Sequence, residues 1–376
     1  MRILLLAHAP VVHTQRWASA LAARGHEVRL LTAKAAPGAA FPGAVVGAPL
    51  PIGALRYASA KGAVLREARA FRPDVAVAHF LPNYGFLAAL AGLRPLLLVA
   101  WGSDLLVNAT RTPFHAARAR FVLARADRVH VDADMLARAA VRLGAPEGRV
   151  WTRPWGVDVD ALAPRETWAA RRARAPELRL LWTRMLSPLY DPETFVQALG
   201  ILRARGVPFR ATIAGEGPLR GTLEAEARRL EIAAAVRFTG WVGEEALRAL
   251  LREHEVYVSL SRSDSTSQSL LEAMAAEILP VVTDIEGNRE WITHRTTGLL
   301  VGERDAEAVA CALAEIARDT APAAAAMAAR AREEVARRAR FADTVAETEA
   351  LLAAMAALST APATRPGAVA RGEIAR

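Results

Sequence analysis

Short apolar runs recur along this chain, each followed by a polar or glycine-marked turn and then by a stretch with helical spacing. In the first part the runs at 2–7, 27–32, 73–79, 95–100, 128–131 and 150–155 read as strands, with a shorter one near Val45 inside a loop at 35–51. Helical stretches alternate with them at 60–71, from Asn83 onward, at 111–125 and at 135–143. The segment from Pro10 to Trp17 reads as a loop entering the first helix, with Thr14 as its N-cap and Arg24-Gly25 as its stop. A second set of strands is expected at 178–183, 209–214, 236–240, 256–260, 280–283 and 298–301. Its helices fall at 192–205, 219–230, 244–252 and 270–276, followed by three more at 305–316, 322–338 and 341–358.

The strands are apolar along their length rather than alternating, the pattern of burial on both faces. Strand and helix in regular succession predict parallel sheets of the α/β class. The segment from Gly156 to Pro164 is broken by glycine and proline and marks a domain boundary, and 167–175 reads as a charged connector. The organisation expected is one domain over 1–160, a second over 161–340, a separate helix over 341–358, and a loose tail over 359–376.

Composition narrows this. With 376 residues and 53% apolar positions the chain can fill two cores. The single cysteine, Cys311, excludes an internal disulfide framework and a cysteine-based zinc site, and fits a reducing, cytoplasmic compartment. The first apolar run is short and is followed by His8, His13 and Arg16, so it reads as a buried strand rather than a signal peptide. The charge-free run 75–93 has Pro82, Asn83 and Gly85 at its middle and reads as strand, turn and helix rather than a membrane span.

The net charge of +9 is unevenly placed: residues 1–160 carry 20 Lys and Arg against 10 Asp and Glu, whereas 161–376 carry 28 against 29. A basic first half suggests an anionic partner. Nucleic acid is disfavoured, because the basic residues lie along helices without an aromatic stacking platform. The helix at 111–125 sets Arg118, Arg120 and Arg125 against Phe114, Phe121, Val122 and Leu123. Such a helix could rest peripherally on an anionic membrane face, although a solvated outer helix is the plainer reading.

The most informative stretch is 261–291. An apolar strand runs into a hydroxyl-rich loop, Ser261 to Ser269, and then into a helix and a second strand. In such a unit the loop lies at the carboxyl edge of a parallel sheet, where the free N–H groups of the helix start bind anions. Asp264 and Glu272 bracket this loop and can accept hydrogen bonds from sugar or ribose hydroxyls. The local alternative for Glu272 is a capping box, Ser269-Leu270-Leu271-Glu272, with a competing one at Ser265–Gln268.

The spacing Asp264-x7-Glu272, followed by Ala273-Met274-Ala275 and Pro280-Val281-Val282, resembles the E-x7-E motif of glycosyltransferase family 4. The resemblance extends over roughly residues 1–355 and is strongest at 181–302. It implies a retaining, nucleotide-sugar-dependent glycosyltransferase with the GT-B fold: α/β, two facing Rossmann-like domains with an interdomain cleft, and a last helix that returns to the first domain. There are departures. The first acid is Asp, and Glu277 stands where the family has Gly, in a turn one residue longer. If that turn needs a positive φ, Glu there costs about 1 kcal/mol.

The resemblance also implies roles. Glu272 would accept from the ribose and Asp264, as a catalytic residue, from a donor-sugar hydroxyl. Arg184 would grip the diphosphate together with Ser267, Gln268 and Ser269, while Tyr190 replaces a family Lys. Gly215 and Gly217 match the family's GxGP loop, and Trp241 and Val242 the segment that holds the base. In the first domain His13, Arg16 and Asn83 fall on the acceptor or phosphate side. Trp101 stands where relatives carry His, which leaves Asp104 and His79 as the polar catalytic candidates at that edge. No metal or cofactor is expected beyond the nucleotide sugar. Asp132-Ala133-Asp134 and Asp158-Val159-Asp160 match a metal motif by letter only, in a helix start and a linker. The acceptor is left open among glycan, lipid-linked and small-molecule classes. Rival readings are a GT-B nucleotide-sugar epimerase and a non-catalytic nucleotide-sugar-binding protein.

Overall fold

The computed structural model describes residues 1–47, 57, 59–174, 176–318 and 322–360. Its first strands are β1 (Arg2–Leu6), β2 (Glu27–Thr32), β3 (Ala44–Val45), β4 (Val75–His79), β5 (Leu96–Val99), β6 (Arg128–Val131) and β7 (Val150–Thr152). They form one parallel sheet in the order β3-β2-β1-β4-β5-β6-β7. The second set is β8 (Leu178–Trp182), β9 (Phe209–Ile213), β10 (Val236–Phe238), β11 (Val256–Ser259), β12 (Leu279–Thr283) and β13 (Leu299–Val301), in the order β10-β9-β8-β11-β12-β13, again all parallel. Both sheets are doubly wound. The strand order reverses between β1 and β4 in the first and between β8 and β11 in the second, which opens a crevice at the carboxyl ends of those strands.

The apolar runs are buried on both faces. In β1, Leu4 and Leu6 pack with Val64 and Leu87, while Ile3 and Leu5 face the other way onto Leu352 and Met355. Those last two residues belong to the helix Phe341–Thr360, which therefore lies on the first domain's sheet. The preceding helix, Pro322–Arg338, stays with the second domain through Ala331 and Val335 against Leu271 and Met274. Among the described residues no helix is long and apolar enough to cross a membrane. Residues 361–376 of the expected tail, and 48–51 of the expected loop, lie outside the described residues.

Three local expectations are corrected. The first helix spans Val12–Ala23, with Val11 at its N-cap and no side-chain cap, and Thr14 is buried inside it. The turn after β4 is not yet α-helix at Asn83 but a turn of π-helix, Phe80–Gly85, with Phe86–Ala91 following. The connector at 167–175 contains a helix, Trp168–Arg172, because it has a core to join: Trp168 is buried and its indole N–H donates to the carbonyl of Glu255 at 2.9 Å. Arg171 is buried beside it and donates to the carbonyls of Leu251 and Glu277. The turn at Glu277 does take a positive φ, 55°. Its strain is offset by that bond and by the Glu277 carboxylate, which accepts from the Trp168 N–H at 2.9 Å.

Leu352 is fully buried on the β1 face, so Leu352→Ala leaves a cavity there. The expected loss is about 2–5 kcal/mol, read as a lower midpoint in chemical denaturation followed by tryptophan fluorescence.

Candidate functional site

The second domain's switch point places the loop after β8 opposite the loop after β11. Arg184 comes from the first and Asp264 from the second, and their side chains meet at 2.5 Å. The same guanidinium donates to Ser267 Oγ at 2.9 Å and to Ser269 Oγ at 3.1 Å. Its face lies 4.3 Å from the centre of the Tyr190 ring, so Tyr190 meets the arginine as a cation–π partner rather than as a second cation. Burial alone would lower the Arg184 pKa, but Asp264 together with Tyr257 and Tyr190 more than offsets this and the net shift is upward. The guanidinium is a fixed positive charge.

The helix Gln268–Ala275 starts at this point. Its N-cap is Ser267, whose hydroxyl accepts from the Leu270 N–H at 3.3 Å. The capping box read at Ser269 is thereby excluded: the Ser269 hydroxyl is taken by Arg184 and by Tyr257 Oη at 2.7 Å. The backbone N–H groups of Gln268 and Ser269 have no protein acceptor among the described residues and are available to an anion. The Gln268 side chain is committed elsewhere, donating to the carbonyl of Gly156 at 2.9 Å. Gly215 and Gly217 serve the loop from behind. A Cβ at either would come within 2.2 Å of the carbonyl oxygen of Arg184 or Leu186, so their contribution is to let this loop pack.

Released from capping, Glu272 points into the interdomain cleft. It accepts no hydrogen bond from the protein among the described residues. It lines a cavity of about 520 Å³ with His13, Arg16, Asp158, Trp241 and Val242. Burial pushes its carboxyl up to about 7, with Arg16 and Arg184 pulling it back and Glu244 adding to the rise. Arg16 faces it from the first domain, packed 3.7 Å from the Phe341 ring centre and donating to the Gly156 carbonyl at 3.4 Å, with one terminal nitrogen buried and unpartnered. Trp241 is 75% exposed at the cleft rim, an apolar plate without a protein partner to cover it. The Arg248–Glu244 ion pair lies along the same wall. Sequence reasoning missed Asp158, Glu244 and Arg248. Asp158 was dismissed with its metal-motif spelling, and the other two look like any surface helix pair.

The first domain's switch point holds an aromatic cage. His13, His79, Trp101 and Trp155 lie with ring centres 5.1–6.1 Å apart. His13 is held below its usual range by burial and by Arg16. His79 is buried and pushed down to about 3 by burial and by the neighbouring His130 and His13, so it stays neutral. Its place among the catalytic candidates is corrected: at 4% exposure the imidazole is packed as part of the cage, which places it away from the open cleft that a catalytic candidate would face. Asp104 is corrected likewise. It is fully buried and its carboxylate is spent on the N–H groups of Leu81 at 3.0 Å, Trp101 at 3.1 Å and Leu105 at 2.9 Å. It shapes the loop that carries Trp101 and pins the residue after Phe80, which has a left-handed φ of 66°. Asn83 lies in the π-helical turn, and no contact among the described residues brings it to the cleft. Among the described residues no cluster of three or more His, Cys, Asp or Glu could hold a metal ion.

Two families match the chain in tandem. The family described as "Glycosyl transferases group 1" matches residues 169–334, and "Glycosyl transferase 4-like domain" matches residues 9–155. The chain is similar to the putative colanic acid biosynthesis glycosyltransferase WcaL of Escherichia coli, 26% identical over 275 residues, a match spanning 70% of this chain and 66% of that protein. Among solved structures it resembles sucrose-phosphate synthase of Thermosynechococcus elongatus, with a TM-score of 0.81 and 18% identity, covering 95% of this chain and 100% of that one. It also resembles Anabaena HepE in complex with UDP and glucose, with a TM-score of 0.76 and 18% identity, covering 94% and 99%. Both domain matches, the relatives and the two parallel sheets agree that the chain belongs to the GT-B glycosyltransferases of the family 4 type.

Proposed function

We propose that this chain transfers a sugar from a nucleoside diphosphate sugar to a hydroxyl of a glycan, lipid-linked or small-molecule acceptor, with retention at the anomeric carbon and without a metal ion. The observation that carries this reading is the caged Arg184 at the start of the helix Gln268–Ala275. A cation and two free N–H groups converge where a diphosphate would leave. The bond from the anomeric carbon to the diphosphate oxygen breaks, and the charge that develops there falls on Arg184 and on those N–H groups. The leaving phosphate takes the acceptor proton as the acceptor oxygen attacks from the same face. Asp264 exchanges part of its bond to Arg184 for a donor-sugar hydroxyl. Glu272 accepts from the ribose hydroxyls, and Trp241 with Val242 covers the base. HepE, bound to UDP and glucose, supports a uridine donor by its shared fold. WcaL, named for colanic acid biosynthesis, supports a surface-polysaccharide acceptor.

The basic first domain offers a place for an anionic, lipid-linked acceptor. Phe114 is 64% and Val107 52% exposed, on either side of the exposed Arg111, close in sequence to the Trp101 loop. This patch is an apolar tip with a basic flank, the composition of a peripheral membrane contact. Arg111 precedes the helix Pro113–Arg125, whose Arg118 and Arg125 lie over the rings of Phe86 and Phe121.

A thermal-shift panel of UDP, GDP and dTDP sugars tests the donor reading. One base class raises the melting temperature with or without a chelator. Glu272→Ala abolishes that shift. Asp264→Ala keeps it and slows transfer, and Arg184→Ala lowers kcat/KM by about a hundredfold or more. A folded protein that responds to none of these donors refutes the proposal. Retained shift with no transfer to any acceptor favours the binding-protein reading.

Calorimetry against pH tests Glu272. The ribose bonds need its ionised form, so donor affinity is flat above about 7 and falls below it by up to about tenfold per pH unit. Glu272→Gln removes most of that slope.

For the membrane surface, the chain co-sediments with vesicles rich in anionic phospholipid and not with neutral ones, and Phe114→Asp lowers the bound fraction severalfold. Equal binding by the variant retires this patch.

A further inference from the structure

The loop that carries Asp264 is not held by its own domain alone. On one side Gly287 presses on it so closely that a Cβ there would come within 2.3 Å of the carbonyl oxygens of Asp264 and Ser265. On the other side the contacts come from the first domain. Ser265 Oγ donates to the Asp132 carboxyl at 3.2 Å, and Thr266 Oγ1 donates to the Asp132 carbonyl at 2.8 Å. Gly102 also closes on Ser265, where an added Cβ would meet its Oγ at 2.8 Å. Asp132 stands at the carboxyl end of β6, next to the helix Asp134–Arg142.

The second domain returns the contact. Glu290 accepts from the N–H groups of Asp134 at 3.0 Å and Met135 at 2.9 Å, and so caps a helix of the other domain. The adjacent Trp291 donates its indole N–H to Thr266 Oγ1 at 3.3 Å, which closes a ring of contacts across the boundary. Asp132 is buried, and its second oxygen has no partner among the described residues. A lone buried carboxyl is a costly way to join two surfaces, and an alanine or leucine would fill the space more cheaply. What the carboxyl adds is a directional bond to the residue next to Asp264.

We propose that Asp132 is a positioning residue, a carboxyl of the first domain that sets the 264–267 loop of the second, so that the donor site is complete only when the two domains are closed. This inference rests on the transferase reading above and assigns domain closure a specific chemical contact. Asp132 is not among the residues that line the cleft cavity. It acts through Ser265 and Thr266 on Asp264, and through Asp264 on Arg184.

The groups facing Asp132 give closure a pH dependence. They are Asp264 and Ser265 on the donor loop, Asp104 on the turn after β5, and Glu290 across the boundary. Burial, and then the three carboxylates, push Asp132 up to about 8, against the Ser265 bond that pulls it down. An open, solvated Asp132 returns towards the ordinary range near 4, so the closed arrangement holds the proton more tightly. The proton's contribution to closure is complete below that range and is lost as pH rises to about 8, by up to about tenfold in the closed-to-open ratio per pH unit.

Spin labels on the natural, exposed Cys311 and on Ala124→Cys, an exposed site in the first domain, report the interdomain distance whether or not a donor is known. The expected result is a single short distance in the otherwise unaltered chain at pH 6, with a longer component growing towards pH 8. Asp132→Ala shows the longer component at both pH values. It also lowers kcat by on the order of tenfold while leaving nucleotide affinity within about twofold. Asp132→Asn keeps an acceptor for Ser265 without a titrating group, so it holds the short distance at both pH values and restores kcat. An Asp132→Ala chain with unaltered distances and unaltered kcat overturns the proposal. So does an Asn variant as impaired as the Ala variant, with a matching drop in melting temperature, because that marks a purely structural residue. If no sugar is turned over by the unaltered chain, the transferase reading fails, and the distances alone still decide whether Asp132 latches the domains.

Discussion

A guanidinium buried at a sheet edge needs a counter-charge, and Arg184 organises the second domain around that need. It sits at the switch point between β8 and β11, where a doubly wound sheet leaves its crevice. Asp264 neutralises it, Ser267 and Ser269 accept from one of its terminal nitrogens, and the Tyr190 ring covers its face, while its Nε has no partner among the described residues. Gly215 and Gly217 have room for no side chain because they lie on the carbonyls of its loop. Residues that look independent in the sequence thus answer to one cation. The cation is held in place by the protein alone.

What was legible in the sequence follows from how each signal is written. Strands buried on both faces leave continuous apolar runs, so the two sheets could be read directly. Glu272 stood out because a polar loop before a helix start has a known place in such a sheet, and Arg184 through the resemblance to the family. The cap was harder. Ser265, Ser267 and Ser269 alternate through one loop, and nothing local says which hydroxyl turns to the helix and which to the arginine. That choice is made by Arg184, 83 and 85 residues away in sequence from Ser267 and Ser269. Asp104 and His79 were misread for the opposite reason. Both lie at the right edge of the sheet, but His79 is buried in an aromatic cage and the Asp104 carboxylate is held by backbone N–H groups, and neither is visible in a string of letters. Asp132 was set aside as a metal motif by letter only, at a helix start, and its partners Ser265 and Thr266 lie on the other domain, out of reach of a local reading.

The boundary between domains is built from two crossing segments. Val157 bridges to Arg340, and a Cβ on Gly156, at φ 79°, would meet the Phe341 Cα at 2.8 Å. The Gly156 carbonyl accepts from Gln268 of the second domain and from Arg16 of the first, while Arg16 rests on the Phe341 ring. One glycine therefore connects the donor helix, the cleft-facing arginine and the returning helix. A rotation about this crossing moves Arg16 relative to Glu272 and Asp132 relative to Ser265 together.

The replacement of a second cation by Tyr190 sets the charge balance of the site. Arg184 and Arg16 bring two positive charges, while Asp264, Glu272 and Asp158 lie close enough to offset them. A site this near neutrality gains little from attracting a diphosphate at long range. Its affinity has to come from contact: free N–H groups at a helix start, hydroxyls aligned on an arginine, and an apolar plate at Trp241. In the proposed reaction the diphosphate would also compete with Asp264 for the same guanidinium. On that proposal the competition would serve transfer, because a carboxylate loosened from Arg184 by the arriving phosphate would be free to accept from the sugar and would return to the arginine when the diphosphate leaves. Asp reaches less far than Glu, so this exchange depends on the loop being set within a fraction of an ångström, which is the condition that contact with the first domain supplies.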